Sequence, residues 1–184
     1  MADEASQRES WWVLQAQSGS HEALNELFKS VQEPLFRYIV SLVRDQHQAE
    51  DILQEVFIRI YRKVRWLRET QAFRAWTYQI ASREAFRYLN RERRWSDQIR
   101  DEATLTALPA DEHEREFSRE LIESLPQLVD NLSPASRAVV VLFYLHELSL
   151  VETAAVLDIP VGTAKSRLAY GLESLRRIFQ REEK

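Results

Sequence analysis

Residues 49–62 have the sequence AEDILQEVFIRIYR, and this stretch decides the fold class. The residues that recur at helical spacing and predict one broad apolar face are Ile52, Leu53, Val56, Phe57, Ile60, Tyr61 and Val64. The opposite side of the predicted helix is polar, with acids near its start and bases near its end, an order that complements the helix dipole. The same spacing continues on both sides, from Ala23 to Val43 and from Phe73 to Leu89.

The composition favours an all-α protein. The 184 residues are 45% apolar and contain only three glycines, fewer than sheets with tight hairpins usually need. This length suits two small domains. The lack of cysteine excludes disulfides and thiolate metal sites, and it fits a reducing, cytoplasmic location. No apolar stretch approaches the roughly 20 residues of a membrane span, so we expect no membrane insertion.

The net charge of −4 conceals an uneven distribution. From Arg59 to Arg94, eleven Lys and Arg residues face three Glu, a net charge of +8. From Asp101 to Glu116 six acids face one Arg, and from Pro160 to Arg181 five bases face one Glu. Two basic segments therefore flank an acidic one, which has weak periodicity and a proline and is predicted to be a flexible linker.

The basic segment before this linker predicts a helix from about Gln71 to Arg94 in which aromatic and arginine residues alternate. One face cannot bury every aromatic residue of such a helix. We expect Phe73, Trp76, Ile80 and Leu89 in the core, and Tyr78, Phe86 or Trp95 nearer solvent. Aromatic faces among cations are what binding of single-stranded nucleic acid needs, although core aromatics with incidental arginines would give the same pattern.

Three serines predict helix starts: Ser20, Ser133 before Pro134, and Ser149 in a capping box with Glu152. Pro34 is expected to interrupt the second helix or open its next turn. The turn Asp158-Ile159-Pro160 separates two predicted helices, the plan of a helix-turn-helix. On the last helix we expect an inward face of Val161, Ala164, Leu168, Leu172, Leu175 and Phe179, and an outward set of Thr163, Lys165, Ser166, Arg167, Ala169 and Tyr170.

These stretches resemble a known family. Residues 49–62, followed by FRAWTYQIA at 73–81, resemble regions 2.2 and 2.3 of the bacterial extracytoplasmic-function (ECF) sigma factors. LSLVETA at 148–154 and IPVGTAKSRL at 159–168 are similar to region 4.2 of the same family. The resemblance implies two small helical domains: a flexible start at 1–10, a region 2 domain at 11–96, an acidic linker at 97–116 and a region 4 helix-turn-helix domain at 117–184.

The resemblance also implies roles for individual residues. Asp51, Gln54 and Glu55 would bind core RNA polymerase. The −10 element would be bound by Phe73, Trp76, Tyr78, Arg83, Phe86 and Arg87, and the −35 element by Thr163, Lys165, Ser166, Arg167 and Tyr170. Many members have asparagine where this chain has Arg83, and a guanidinium differs in geometry from an amide. The implied partners are core polymerase, through its β′ clamp and β flap, promoter DNA and an anti-sigma factor; no cofactor is implied.

Two other functions remain open at this point. A helix-turn-helix regulator would bind duplex DNA without polymerase, but it would have no use for aromatic residues exposed among arginines. An enzyme would need a nucleophile with a base, or a glycine loop for phosphates, and neither is evident. The cluster of Asp45, His47, Glu50 and Asp51 is a thin metal candidate, because acids at the start of a helix explain it as well.

Overall fold

The computed structural model describes residues 2–95 and 128–182, with side chains described for 7–92 and 128–178. Within these ranges every regular element is a helix, which confirms the all-α prediction. The chain divides into two compact units, Met1–Tyr88 and Leu89–Lys184. The predicted linker at 97–116, and the following predicted helix up to residue 127, lie outside the described residues.

The first unit contains α1 (Ala2–Gln17), α2 (His21–Val43) and α3 (Gln46–Lys63), and α4 (Phe73–Trp95) begins in it. Two short 3₁₀ turns, Val64–Trp66 and Thr70–Ala72, connect α3 to α4. The side-chain amide of Gln17 donates to the carbonyls of Val64 and Leu67, at 3.0 and 2.7 Å. The end of α1 therefore fixes the connection that precedes α4.

The predicted flexible start is wrong, because residues 2–10 belong to α1. Glu9 is buried and pairs with Arg74 of α4, and Val13, one turn further on, is fully buried. The contact between Glu9 and Arg74 has no local sequence signal, since the two residues are 65 positions apart. Tertiary packing therefore stabilises a helix whose own sequence has little apolar periodicity.

Helix α2 begins where expected, and the side chain of its N-cap Ser20 accepts a hydrogen bond from the backbone of Ala23. The predicted interruption at Pro34 is wrong: one helix continues from His21 to Val43. Proline removes one backbone hydrogen bond. Val31, Leu35 and Tyr38 are buried around it, and this packing holds the helix together.

The described part of the second unit begins with a 3₁₀ turn, Val129–Asn131, before α5 (Pro134–Val140), whose last turn widens into a π-helix at Val141–Leu145. Ser133 caps α5 with Pro134 at its first position, as predicted. Arg137 is buried, and its guanidinium donates to the carbonyls of Val129, Asp130 and Leu132 at 2.8 to 3.0 Å. This arginine therefore ties the segment before α5 to the helix itself.

The second unit continues with α6 (Leu150–Leu157) and α7 (Val161–Glu182). Gly171 of α7 lies against α5, and a Cβ at this position would come within 2.9 Å of Val140 Cγ2. The predicted inward face of α7 is buried at Ala164, Leu168, Leu172 and Leu175, but Val161, in its first turn, is exposed. The side chain of Phe179 lies outside the described residues. None of the helices in the described ranges has the length and hydropathy to cross a membrane.

Candidate nucleic-acid interface

The polar face of α3 is exposed where the sequence predicts a docking surface. Asp51, Gln54 and Glu55 are all exposed, while the opposite face buries Ile52, Val56 and their neighbours. Asp51 and Glu55 are four residues apart and therefore lie on one stripe of the helix. The two carboxylates thus form an exposed acidic row, and a basic partner could bind to it.

The apolar face of α3 is narrower than predicted. Phe57 stacks on Phe28 of α2, with ring centroids 4.6 Å apart, but Tyr61 is 57% exposed. The prediction that Tyr61 joins the buried face is wrong. Helix α3 ends at Lys63, so Tyr61 belongs to its last turn.

Asp45 explains the acidic start of α3. It is the N-cap residue, and its carboxylate accepts a hydrogen bond from the backbone N–H of Gln48 at 2.9 Å. No three His, Asp or Glu side chains of the described ranges come together as metal ligands would. The structure therefore gives Asp45 a capping role and does not support a metal site at Asp45, His47, Glu50 and Asp51.

The aromatic residues of α4 divide into a buried and a partly exposed group. Phe73 is 1% exposed, which agrees with its predicted place in the core. Trp76 packs against Phe73, with ring centroids 6.2 Å apart, but it remains partly exposed. The prediction that Trp76 lies in the core is therefore correct only in part.

The accessible surface of α4 includes four of the six residues predicted to bind the −10 element. Phe86 is partly exposed, like Trp76, and Arg83 and Arg87 are exposed. The accessible part of α4 thus carries two partly exposed rings, Trp76 and Phe86, and the guanidinium groups of Arg83 and Arg87. An aromatic ring among cations is the combination that single-stranded nucleic acid needs.

The prediction that Tyr78 lies near solvent is wrong, because Tyr78 is 6% exposed. Its ring makes an edge-on contact with Tyr38 of α2, with centroids 5.5 Å apart. The hydroxyl of Ser82 donates to the carbonyl of Tyr78 and lies 2.8 Å from the hydroxyl of Tyr38. Burial raises the pKa of Tyr78 to about 12. Tyr78 and Phe73 are therefore buried residues that pack behind the exposed face of α4 and are not part of that face.

The structure exposes an aromatic residue that the sequence pattern did not single out. Trp66, in the 3₁₀ turn after α3, is 72% exposed, and the guanidinium carbon of Arg65 lies 5.0 Å from the centre of its ring. The available signal was a tryptophan between Arg65 and Arg68 outside any periodic stretch. Helical periodicity does not detect such a pair, because the pair lies in a connection between two helices.

A helix-turn-helix is formed by α6 and α7, as predicted. Ser149 and Glu152 complete the capping box of α6. Asp158 adopts a left-handed conformation (φ 56°), and the following N–H, of Ile159, donates to Ala154 at 3.0 Å. This is the Schellman arrangement that usually ends on glycine. Aspartate tolerates the left-handed region better than most residues, so Asp158 can stand in that place.

The outward set of α7 occupies its first three turns. Lys165 and Tyr170 are exposed, and Thr163, Ser166 and Arg167 are partly exposed. The hydroxyl of Ser166 donates to the carbonyl of Gly162 at 3.0 Å. The Nε atom of Arg167 is buried and finds no acceptor among the described residues. Exposed polar groups at the start of the second helix are in the position from which this motif reaches the major groove.

Comparisons with known proteins agree with this geometry. The family model for Sigma-70 region 2 matches residues 27–95, and the model for Sigma-70 region 4 matches residues 128–177. Together they cover about two thirds of the chain. The ECF RNA polymerase sigma factor SigW of Bacillus subtilis is 29% identical over 174 residues, which are 90% of this chain and 93% of SigW.

Two solved structures have a similar fold. CnrH, solved in complex with the cytosolic domain of CnrY, gives a TM-score of 0.68 at 21% identity and covers 94% of this chain and 97% of its own. The sigma factor RpoE from Bartonella quintana, solved with the anti-sigma factor NepR, gives a TM-score of 0.65 at 20% identity, covering 85% and 96%. The matched regions, their order and their exposed surfaces lead to one conclusion: the chain belongs to the ECF sigma factors of the sigma-70 family.

Proposed function

We propose that this chain binds core RNA polymerase through the acidic row of α3 and directs it to promoters through α4 and α7. Asp51, Gln54 and Glu55 would contact the β′ clamp. On α4, Trp76, Arg83, Phe86 and Arg87 would bind the single-stranded −10 element, with Phe73 and Tyr78 as buried support. On α7, Thr163, Lys165, Ser166, Arg167 and Tyr170 would contact the −35 element.

The observation that carries this proposal is the exposure pattern of the two matched regions. In each region most of the apolar residues on the inward face of the site helix are buried, while candidate cationic contacts are accessible on the same helix. Exposed cations attract the phosphate backbone, and partly exposed rings can stack on unpaired bases. The two surfaces lie in separate units, as recognition of two separate promoter elements requires.

The partner set follows from this assignment. The chain would act in the cytoplasm as an initiation factor and catalyse no reaction itself, with the β flap contacting the helix-turn-helix unit. CnrH and RpoE were each solved with a second protein, and NepR is an anti-sigma factor. An anti-sigma factor that covers the acidic row of α3 would block polymerase binding, so we include such a regulator in the proposal.

Run-off transcription tests the proposal. Purified core polymerase is supplied with the full chain and a library of promoter fragments, and the transcripts are sequenced. We expect defined start sites preceded by shared −10 and −35 sequences, and none from core polymerase alone. A chain that gives no start-site selection, but binds duplex DNA tightly without polymerase, would overturn the proposal in favour of a helix-turn-helix regulator.

A further inference from the structure

A buried carboxylate lies between two arginines at the junction of α3 and α4. Glu84 is 8% exposed. Its Oε1 atom lies 2.7 Å from Nε of Arg59 on α3, and its Oε2 atom accepts a hydrogen bond from a terminal nitrogen of Arg87 on α4. Each carboxylate oxygen therefore has its own guanidinium partner, and the three residues link the two helices.

The two arginines differ in their exposure. The side chain of Arg59 is 35% exposed, whereas that of Arg87 is 53% exposed. Among the described contacts, Arg87 binds Glu84 through a single nitrogen. A guanidinium carries five N–H donors in a planar fork, so the remaining edge of Arg87 can bind a phosphate or a base while the first edge is held.

The second arginine preserves the positive charge of the group. Glu84 alone would neutralise Arg87 and reduce its attraction for DNA. With Arg59 present, two guanidinium groups share one carboxylate, so the three side chains together keep a net positive charge. The arrangement therefore fixes the position of Arg87 without cancelling the charge that a nucleic-acid phosphate recognises.

We propose that Glu84 is a positioning residue that orients Arg87 for the non-template strand of the −10 element. The inference rests on the proposed function, since it assumes that α4 binds this strand. A long arginine side chain loses conformational freedom when it binds, and a side chain that is already held loses less. Glu84 thus lowers the entropic cost of strand capture by Arg87.

A double-mutant cycle in the assembled holoenzyme tests the inference. The probe is a labelled single-stranded oligonucleotide carrying the non-template −10 sequence of a promoter selected by run-off transcription. We expect Glu84→Gln to weaken binding by about three- to tenfold, a range typical of coupling between residues in contact. In the Arg87→Ala background the same substitution should have no further effect.

The matched control is Glu26→Gln. Glu26 also pairs with a cation three residues on, Lys29, but on the exposed surface of α2, and its substitution should leave binding unchanged. If Glu84→Gln fails to fold, Glu84→Asp retains the charge and withdraws the carboxylate from Arg87. Glu84→Asp should then weaken binding, again only when Arg87 is present.

The outcomes separate this inference from the proposed function. An equal loss from the Glu84 substitution with and without Arg87 would overturn it, because a purely structural role does not depend on Arg87. Unchanged binding by Glu84→Gln would overturn it as well. If the wild-type holoenzyme starts transcription normally in those cases, the proposed function stands and only the role of Glu84 is refuted.

Discussion

The carboxylate of Glu9 accepts three hydrogen bonds from the guanidinium of Arg74, at distances between 2.7 and 3.0 Å. The pair joins α1 to α4 across 65 positions of the sequence. Glu9 is buried, and its hydrogen bonds raise the pKa of the Arg74 guanidinium above its usual value. Arg74 therefore serves to attach α1, although its place among the aromatic residues of α4 suggests a contact with nucleic acid.

Substitution Glu9→Gln should lower the free energy of unfolding of the first unit. Removal of the charge weakens charge-assisted hydrogen bonds at a buried site, and we expect a loss of about 1.5–3 kcal/mol. Four of the five tryptophans, Trp11, Trp12, Trp66 and Trp76, lie in this unit, so tryptophan fluorescence during urea unfolding of the full chain reports mainly on it. The control is Glu33→Gln, which removes an exposed pair with Arg37 at 3.6 Å. It should cost less than about 0.5 kcal/mol, and equal losses would refute a special role for Glu9.

The features that the sequence predicts well are local. Ser20, Ser133 and Ser149 cap helices because each acts within three residues of itself. Asp158 takes the left-handed conformation because the helix must end before Pro160. The exposure of Asp51 and Glu55 follows from helical periodicity alone, since their neighbours in the apolar stripe fill the opposite face.

The features that the sequence does not predict depend on residues far apart in the chain. Tyr78 is buried because Tyr38, 40 residues earlier, lies against its ring, and no period within α4 reveals that. In the sequence, Glu84 is one acid within a basic segment. Only the structure shows that Arg59, on a different helix, lies beside it. The sequence therefore predicts the helices that carry the candidate site, but not which side chains of α4 reach its surface.

The buried Tyr78 predicts how stability changes in alkaline solution. Burial raises its pKa from 10.0 to about 12, so the folded state holds this proton more tightly than the unfolded state. The contribution is complete below pH 10 and is lost as the pH rises to about 12. By about pH 11, wild type should lose about 1 kcal/mol more of its free energy of unfolding than Tyr78→Phe does. Urea unfolding at about pH 9 and about pH 11 measures this, and identical losses would contradict the assignment.

Charge reversal of the acidic row should weaken polymerase binding. In Asp51→Arg with Glu55→Arg, two exposed carboxylates become cations that repel a basic partner, so affinity for core polymerase should fall at least about tenfold. Both side chains are exposed, so circular dichroism should be unchanged. The matched control reverses two acids of α2, Glu26→Arg with Glu33→Arg, and changes the net charge equally. If the two double variants bind core polymerase alike, the effect is one of net charge and the docking surface lies elsewhere.

The start of α7 should determine how transcription depends on the −35 element. Lys165 is exposed in the second turn of the helix, and Arg167 lies two residues further on. Substitution of either by alanine should reduce transcription from a selected promoter, since each lost base contact costs about 1–3 kcal/mol. Arg177→Ala is the control, because Arg177 lies twelve residues beyond Lys165 on the same helix and pairs with Glu173.

The comparison that distinguishes base contacts from phosphate contacts uses a template with a scrambled −35 sequence. If the two residues contact bases, the variants and wild type should give equal transcription from the scrambled template. A loss of transcription that persists on that template would instead show that both residues contact only phosphates.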